Sequence, residues 1–406
     1  MTQGAAPVAG VPAASSSTSP PLTLFVVTGA LSLSNGAVFA LLAELQDRFG
    51  FETWGLGLIA GAAFLSGFAA HVGVARFADR GHARRLLLGG LALAGVGTLG
   101  MGVGSNLVAF VAARLLIGFG FGMFIPAARR LVISSDPARA GRLLGRLASF
   151  SVGGFVLGPP LAAGVASVAG PRAPFLVIAV VVLLCLPPVL RTEVIEVRRD
   201  PEPRVVRQLL AIPAVQASLF VGAAFYLSIG VFESVWARLL TDLGASTLAV
   251  GLTLLGFGVV MASFAPIGGR IADRFGGFRV AATAMVLTVP VMALYGHLTS
   301  LIALSALIAV HAFSDGTVTP GTQLGITRAA PDQHAAAAQG LLEAVGFLLA
   351  AIAAVGAAPV YQAVGAAWLF GGSGLCMLVM VSLGVLRDRA ARRLAGVPLP
   401  TESAAG

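Results

Sequence analysis

The sequence predicts an all-α membrane protein of twelve transmembrane helices in two pseudo-symmetric six-helix bundles. Three observations predict it. Apolar residues come in successive runs of about 20, enough to cross a bilayer. The arginines fall almost entirely in alternate segments between those runs. A short polar motif recurs at equivalent places in the two halves of the chain.

Of 406 residues, 57% are hydrophobic and 11% charged, against about 25% charged in a typical soluble domain. A water-soluble globule of this size could not cover its surface with so few charges. Residues 1–21 are rich in Ala, Pro and Ser and read as a disordered tail. No basic segment precedes the first apolar run, so that run is expected to stay as helix 1 rather than be cleaved.

The expected spans are 22–45, 55–75, 86–104, 107–132, 144–168 and 173–190, then 214–236, 248–269, 280–298, 301–324, 337–360 and 366–386. The polar stretch 191–213 reads as a cytoplasmic linker between an N-terminal bundle (22–190) and a C-terminal bundle (214–386). Residues 387–406 read as a cytoplasmic tail. The pairs Ser105-Asn106 and Thr299-Ser300 read as tight turns between neighbouring helices.

Loop arginines set orientation in membrane chains. All 26 basic residues counted as Lys or Arg are Arg. With both termini inside, 22 lie in inner segments, three (Arg48, Arg172, Arg238) in outer segments, and Arg114 within a span. Adding or removing one span would scramble that split. Trp54, Trp236, Trp368, Tyr295 and Tyr361 fall near outer helix ends, where amphipathic rings prefer to sit. The expected location is therefore the plasma (inner) membrane, multi-pass, with both termini cytoplasmic.

The net charge of +9 does not imply a nucleic-acid partner. The arginines occupy short loops rather than one basic face, and no zinc spacing or phosphate-cradling loop is present. No metal site, cofactor or nucleophile–base constellation is expected, so enzyme activity is not. Cys185 and Cys376 fall inside apolar runs and read as buried structural thiols rather than a disulfide.

The repeat is specific. The segment after span 2 reads Ala75-Arg76-Phe77-Ala78-Asp79-Arg80-Gly81-His82-Ala83-Arg84-Arg85. The segment after span 8 reads Gly269-Arg270-Ile271-Ala272-Asp273-Arg274-Phe275-Gly276-Gly277-Phe278-Arg279. Both carry Arg-x-Ala-Asp-Arg, 194 positions apart. The second copy closely resembles the signature loop Gly-x-Leu-Ala-Asp-Arg-x-Gly-Arg-Lys of the major facilitator superfamily. The first departs from it at Ala75 and His82. The resemblance implies a conformational latch at the inner face. Asp79 would face the start of helix 11 and Asp273 the start of helix 5, with Arg80, Arg84 and Arg274 forming ion pairs beside them. A carboxylate can pair with the partly positive N-terminus of a helix.

Two further stretches resemble the same family. Arg114-x-x-x-Gly118-x-Gly120-x-Gly122 matches its helix-4 motif, with Ile117 where glutamine is common. In proton-coupled relatives this arginine is linked to proton transfer. A charge inside an apolar helix usually faces a cavity or a partner, although Arg114 could also snorkel to the outer interface. Gly154-x-x-x-Gly158-Pro159-Pro160 resembles the helix-5 motif of the family's exporters. Small residues let helices approach and proline bends them, so these positions imply packing and gating.

Few ionisable groups lie within spans. His311 and Asp315 are spaced i, i+4 and share a helix face. Asp315 is the leading candidate for a proton site, with His311, Glu343 and Arg114 as further coupling candidates. Glu343 could instead support the inner latch. Glu44 and Glu233 read as solvated near outer helix ends, although Glu44 could approach Arg114 if helix 1 runs deeper. The resemblance places helices 1, 4, 7 and 10 around the cavity, making Asn35 and Tyr226 substrate-contact candidates.

The resemblance thus implies a monomeric secondary transporter working by alternating access, with proton-coupled efflux of small hydrophobic or drug-like compounds. A proton-coupled importer of a sugar or organic acid is the alternative, and a membrane sensor a more distant one.

Overall fold

The computed structural model describes residues 22–74, 77, 80–136, 139–192 and 205–394. The first six long helices are α1 (Leu22–Phe49), α2 (Trp54–Gly73), α3 (Ala83–Val103), α4 (Leu107–Ser135), α5 (Ala140–Ala169) and α6 (Ala173–Leu184, continued by Leu186–Leu190). The next four are α7 (Pro213–Asp242), α8 (Thr247–Phe275), α9 (Gly277–Tyr295) and α10 (Leu301–Ala329). Helices α11 and α12 share Ala335–Leu394 and part at Gly365, whose φ of 85° is left-handed. Glycine reaches that conformation without a Cβ penalty. A short helix, Val205–Leu210, lies within the stretch expected to be linker.

Helix starts follow side-chain chemistry. Asn106, Ser246 and Ser300 precede α4, α8 and α10, and each accepts a hydrogen bond from the backbone N–H three residues on. That satisfies one of the donors a helix start leaves unpaired. The arginine-rich ends behave differently. Helices α4, α8, α10 and α12 continue several residues past the apolar runs. Arg270, Asp273 and Arg274, expected in a loop, are therefore helical and sit in the last turns of α8. Hydropathy ends at the first charge, whereas backbone hydrogen bonding continues to Gly276, with φ of 93°.

The two halves repeat one packing plan. In the first, α1 packs on α5, α2 and α3 on α4, and α3 on α6. In the second, α7 packs on α11, α8 and α9 on α10, and α9 on α12. Between halves, α2 packs on α11 and α5 on α8. Close approach depends on bare backbone. A Cβ on Gly154 of α5 would lie 2.0 Å from the Gly29 carbonyl oxygen of α1, and one on Gly118 of α4 would lie 2.2 Å from Ala63 O of α2. Large apolar side chains such as Val168 and Ile302 point outward, as expected of a surface that meets lipid.

Tyr295 ends α9 and Trp236 lies six residues inside the end of α7, near helix ends as expected, but both are wholly buried against neighbouring helices. They pack with Phe232 and Phe370 in a cluster of edge-on and tilted rings. Their helices lean these positions against neighbours, and a hydropathy window carries no information on rotation about the helix axis. Cys376 is exposed and Cys185 half-buried, so neither is the buried thiol expected.

Candidate functional site: a cavity between the halves

A cavity of about 280 Å³ lies between the halves. Phe39 of α1, Phe155, Val156 and Pro159 of α5, and Phe225, Phe232 and Glu233 of α7 line one part. Phe257 and Met261 of α8 and His311, Asp315 and Thr319 of α10 line the rest. The wall is almost entirely apolar, interrupted by two carboxylates, one imidazole and the hydroxyl residues Ser228 and Thr319.

His311 and Asp315 meet as their spacing predicts. Nε2 of His311 lies 3.5 Å from Oδ1 of Asp315, and both residues are buried. Neither of these two atoms has a hydrogen-bond partner in the structure. The other imidazole nitrogen, Nδ1, lies 3.4 Å from the Tyr295 hydroxyl. The rings of Phe232 and Phe257 stand edge-on to the imidazole. A polar pair is thus held in an aromatic box with bonding capacity unused. Most buried polar atoms are satisfied, which marks this pair.

Arg114 is fully buried and does not snorkel. Its guanidinium donates to Glu233 of α7, to Asn35 Oδ1 at 3.0 Å and to the Ile59 carbonyl at 3.3 Å. Glu233, expected in solvent, is 7% exposed. The reason is helix length: α7 runs to Asp242, not 236, so Glu233 sits nine residues inside its end. The continuing helix was visible in Arg238 and Asp242, which pair at i, i+4. Asn35 orients Arg114 rather than lining the cavity. Glu44 is also not simply solvated, since Thr247 of α8 donates to it at 2.7 Å.

Glu343 and Tyr226 lie away from the cavity, toward the arginine-rich end. Glu343 accepts from Arg129 at 2.8 Å and lies 3.4 Å from His71 Nε2, joining α11 to α4 and α2. The Tyr226 ring packs on Phe225 and Phe347. Neither His71 nor Arg129 stood out in the sequence, because their importance comes from a partner more than 200 positions away.

Asp79 lies outside the described residues. Arg80 stacks over Phe77, and Arg84 donates to the Leu190 carbonyl of its own half at 2.8 Å. Asp273 pairs with Arg328 of its own half at 3.5 Å, and Arg274 lies over Phe275. Among the described residues, polar contacts also join the halves at the opposite, arginine-poor end. There Arg238 pairs with Asp47, Thr247 with Glu44, and Gln362 with Glu52. The backbone of Gly158 approaches Leu33 and Ala37 of α1 within its own half. Pro159 reaches across: a Cβ on Gly251 of α8 would lie 3.0 Å from its carbonyl oxygen.

Two repeated six-helix bundles around a central cavity define a polytopic membrane transporter. A sequence model of the Major Facilitator Superfamily matches residues 24–232 and 218–403, and the chain belongs to that family of transporters rather than to enzymes. Multidrug resistance protein MdtG of Escherichia coli O1:K1 / APEC is 28% identical over 267 residues, covering 61% of this chain and 63% of MdtG. The MdtG of E. coli strain K12 / DH10B matches to the same extent. The match therefore spans less than two thirds of those relatives. Among solved structures, a bacterial homolog of the human lysosomal transporter Spinster, inward-facing and unoccupied, has a TM-score of 0.73 at 14% identity. It covers 95% of this chain and 99% of that one. A POT family transporter in complex with 5-aminolevulinic acid has a TM-score of 0.70 at 15% identity, covering 91% and 96%. At such identities the likeness is one of fold.

Proposed function

We propose that this chain is a monomeric secondary active exporter that exchanges protons for small hydrophobic or drug-like compounds by alternating access. The arginine-rich face and both termini are cytoplasmic in this reading. The observation that carries it is the His311–Asp315 pair on the wall of an apolar cavity, buried and unsatisfied. An intramembrane acid facing a cavity is the usual component of a proton relay. The apolar wall suits hydrophobic cargo, and the name of the MdtG relatives adds support for efflux.

The contacts at the arginine-poor end support a state closed to the outside. In the alternate state Asp79 and Asp273, with Arg80, Arg84 and Arg274, would close the cytoplasmic side. Glu343, bound by Arg129 and His71, belongs to that side too, as a tie between halves rather than a proton carrier.

The test is substrate-induced proton movement in everted membrane vesicles over a compound panel. Transported compounds are expected to drive proton efflux from the vesicles, and Asp315→Asn is expected to abolish it. Transport without any proton movement would overturn the exchange. Undiminished coupling in Asp315→Asn would remove that residue from it.

A further inference from the structure

Arg114 and Glu233 lie in different halves, 119 positions apart, and form a buried ion pair. The other two acceptors of the guanidinium, Asn35 and the Ile59 carbonyl, both belong to the first half. Arg114 is therefore fixed to one bundle, and Glu233 is the single carboxylate through which it holds the other. Glu233 also lines the cavity, beside Phe232 and near Phe39. One carboxylate thus serves both the tie between the halves and the cavity wall.

That double position has a consequence. Pulling the halves apart would leave Glu233 as an uncompensated charge in a dry site, which is strongly unfavourable. A neutral cargo cannot relieve this. A cation in the cavity can take the place of the guanidinium, with its apolar body against aromatic rings that also attract cations.

We propose that the Arg114–Glu233 pair is a lock on the arginine-poor side that a positively charged cargo opens by replacing Arg114 at Glu233. The cargo class is a lipophilic monocation. The cation neutralises Glu233 on the apolar cavity wall, and as the halves separate at that end water reaches the released guanidinium of Arg114, which keeps Asn35 and the Ile59 carbonyl as acceptors. An empty or neutrally loaded cavity leaves the lock closed, which prevents futile opening. The inference rests on the transporter reading above, but it does not depend on proton exchange.

The experiment measures the distance between spin labels at Ser105→Cys and Thr299→Cys, both exposed and in corresponding turns of the two halves. The background is Cys185→Ala/Cys376→Ala protein in lipid nanodiscs. The probe is 4-phenylbutyl-trimethylammonium, compared with its neutral analogue carrying a tert-butyl group in place of the quaternary nitrogen. The cation is expected to raise the open-to-closed ratio about 10-fold, the size of a differential affinity between two states. The neutral analogue is expected to leave it unchanged. Glu233→Gln is expected to populate the long distance without probe and to ignore the cation. Arg114→Gln/Glu233→Gln, which leaves no buried charge, is expected to behave in the same way and guards against misfolding of the single variant. Equal responses to the two analogues, no response to the cation, or a closed distance in the double variant would each overturn the lock. Failure of proton exchange in vesicles would leave this result standing, so the two readings fail separately.

Discussion

Two buried pairs of ionisable side chains face one cavity and are built in opposite ways. Arg114–Glu233 joins two helices from different halves, and the guanidinium has three separate acceptors. His311–Asp315 lies on one helix, and two of its atoms lack any hydrogen bond. The first is satisfied by the tertiary structure and holds the halves in one arrangement. The second is left open by the same structure. A satisfied network rigidifies, while unused bonding capacity in a dry site leaves room for a ligand. The difference separates a closed tie, whose carboxylate is already occupied by Arg114, from a site whose polar atoms are free.

The largest expected effect breaks the first site. Arg114→Ala strands Glu233 and should cost about 3–5 kcal/mol, the usual penalty for removing one partner of a buried pair. Thermal unfolding in detergent would read it, and Arg114→Ala/Glu233→Ala should recover much of the loss. Additive losses in that cycle would show that the two residues are not coupled. Asp315→Asn acts oppositely. It should lower proton-driven flux about 100-fold, in the range for a positioned proton-transfer group, without loss of thermal stability. A large destabilisation there would mean that Asp315 is structural after all.

Glu343→Gln tests whether the arginine-rich end has a tie of comparable kind. Its hydrogen bond with Arg129 is charge-assisted, so a loss of about 1.5–3 kcal/mol is expected, less than for Arg114 because the Arg129 side chain is 46% exposed. An equal loss would place the two ties on the same footing. The smallest effect belongs to Arg238→Ala, whose partners Asp47 and Asp242 are well exposed. It should cost about 0.2–1 kcal/mol, as solvent-screened pairs do, and the loss should shrink in high salt. A larger, salt-independent loss would make the arginine-poor rim a principal tie.

The His311–Asp315 site was legible because both residues sit on one helix, where 3.6-residue periodicity sets which side chains meet. Asp315 also announces itself by being an acid in an apolar run. The same reasoning failed for Glu233. Hydropathy placed the end of its helix at 236, whereas the backbone continues to Asp242, so an expected rim residue is buried. Asn35 and Tyr226 failed for another reason. A polar residue at mid-span is visible in sequence, but whether it faces a cavity, an arginine or an aromatic neighbour depends on helix rotation.

The sequence by itself determined the membrane, the number of spans and the duplicated plan of the halves. These follow from local quantities: the length of apolar runs, the placement of arginine, and a motif repeated at one spacing. Tertiary structure alone decided that Arg114 finds Glu233 and that Glu343 finds Arg129 and His71. It also decided that Asp273 pairs with Arg328 within its own half. Those partners lie far apart along the chain or in the rotation of packed helices. A buried charge declares its need for a partner in the sequence, but only packing decides which one it meets.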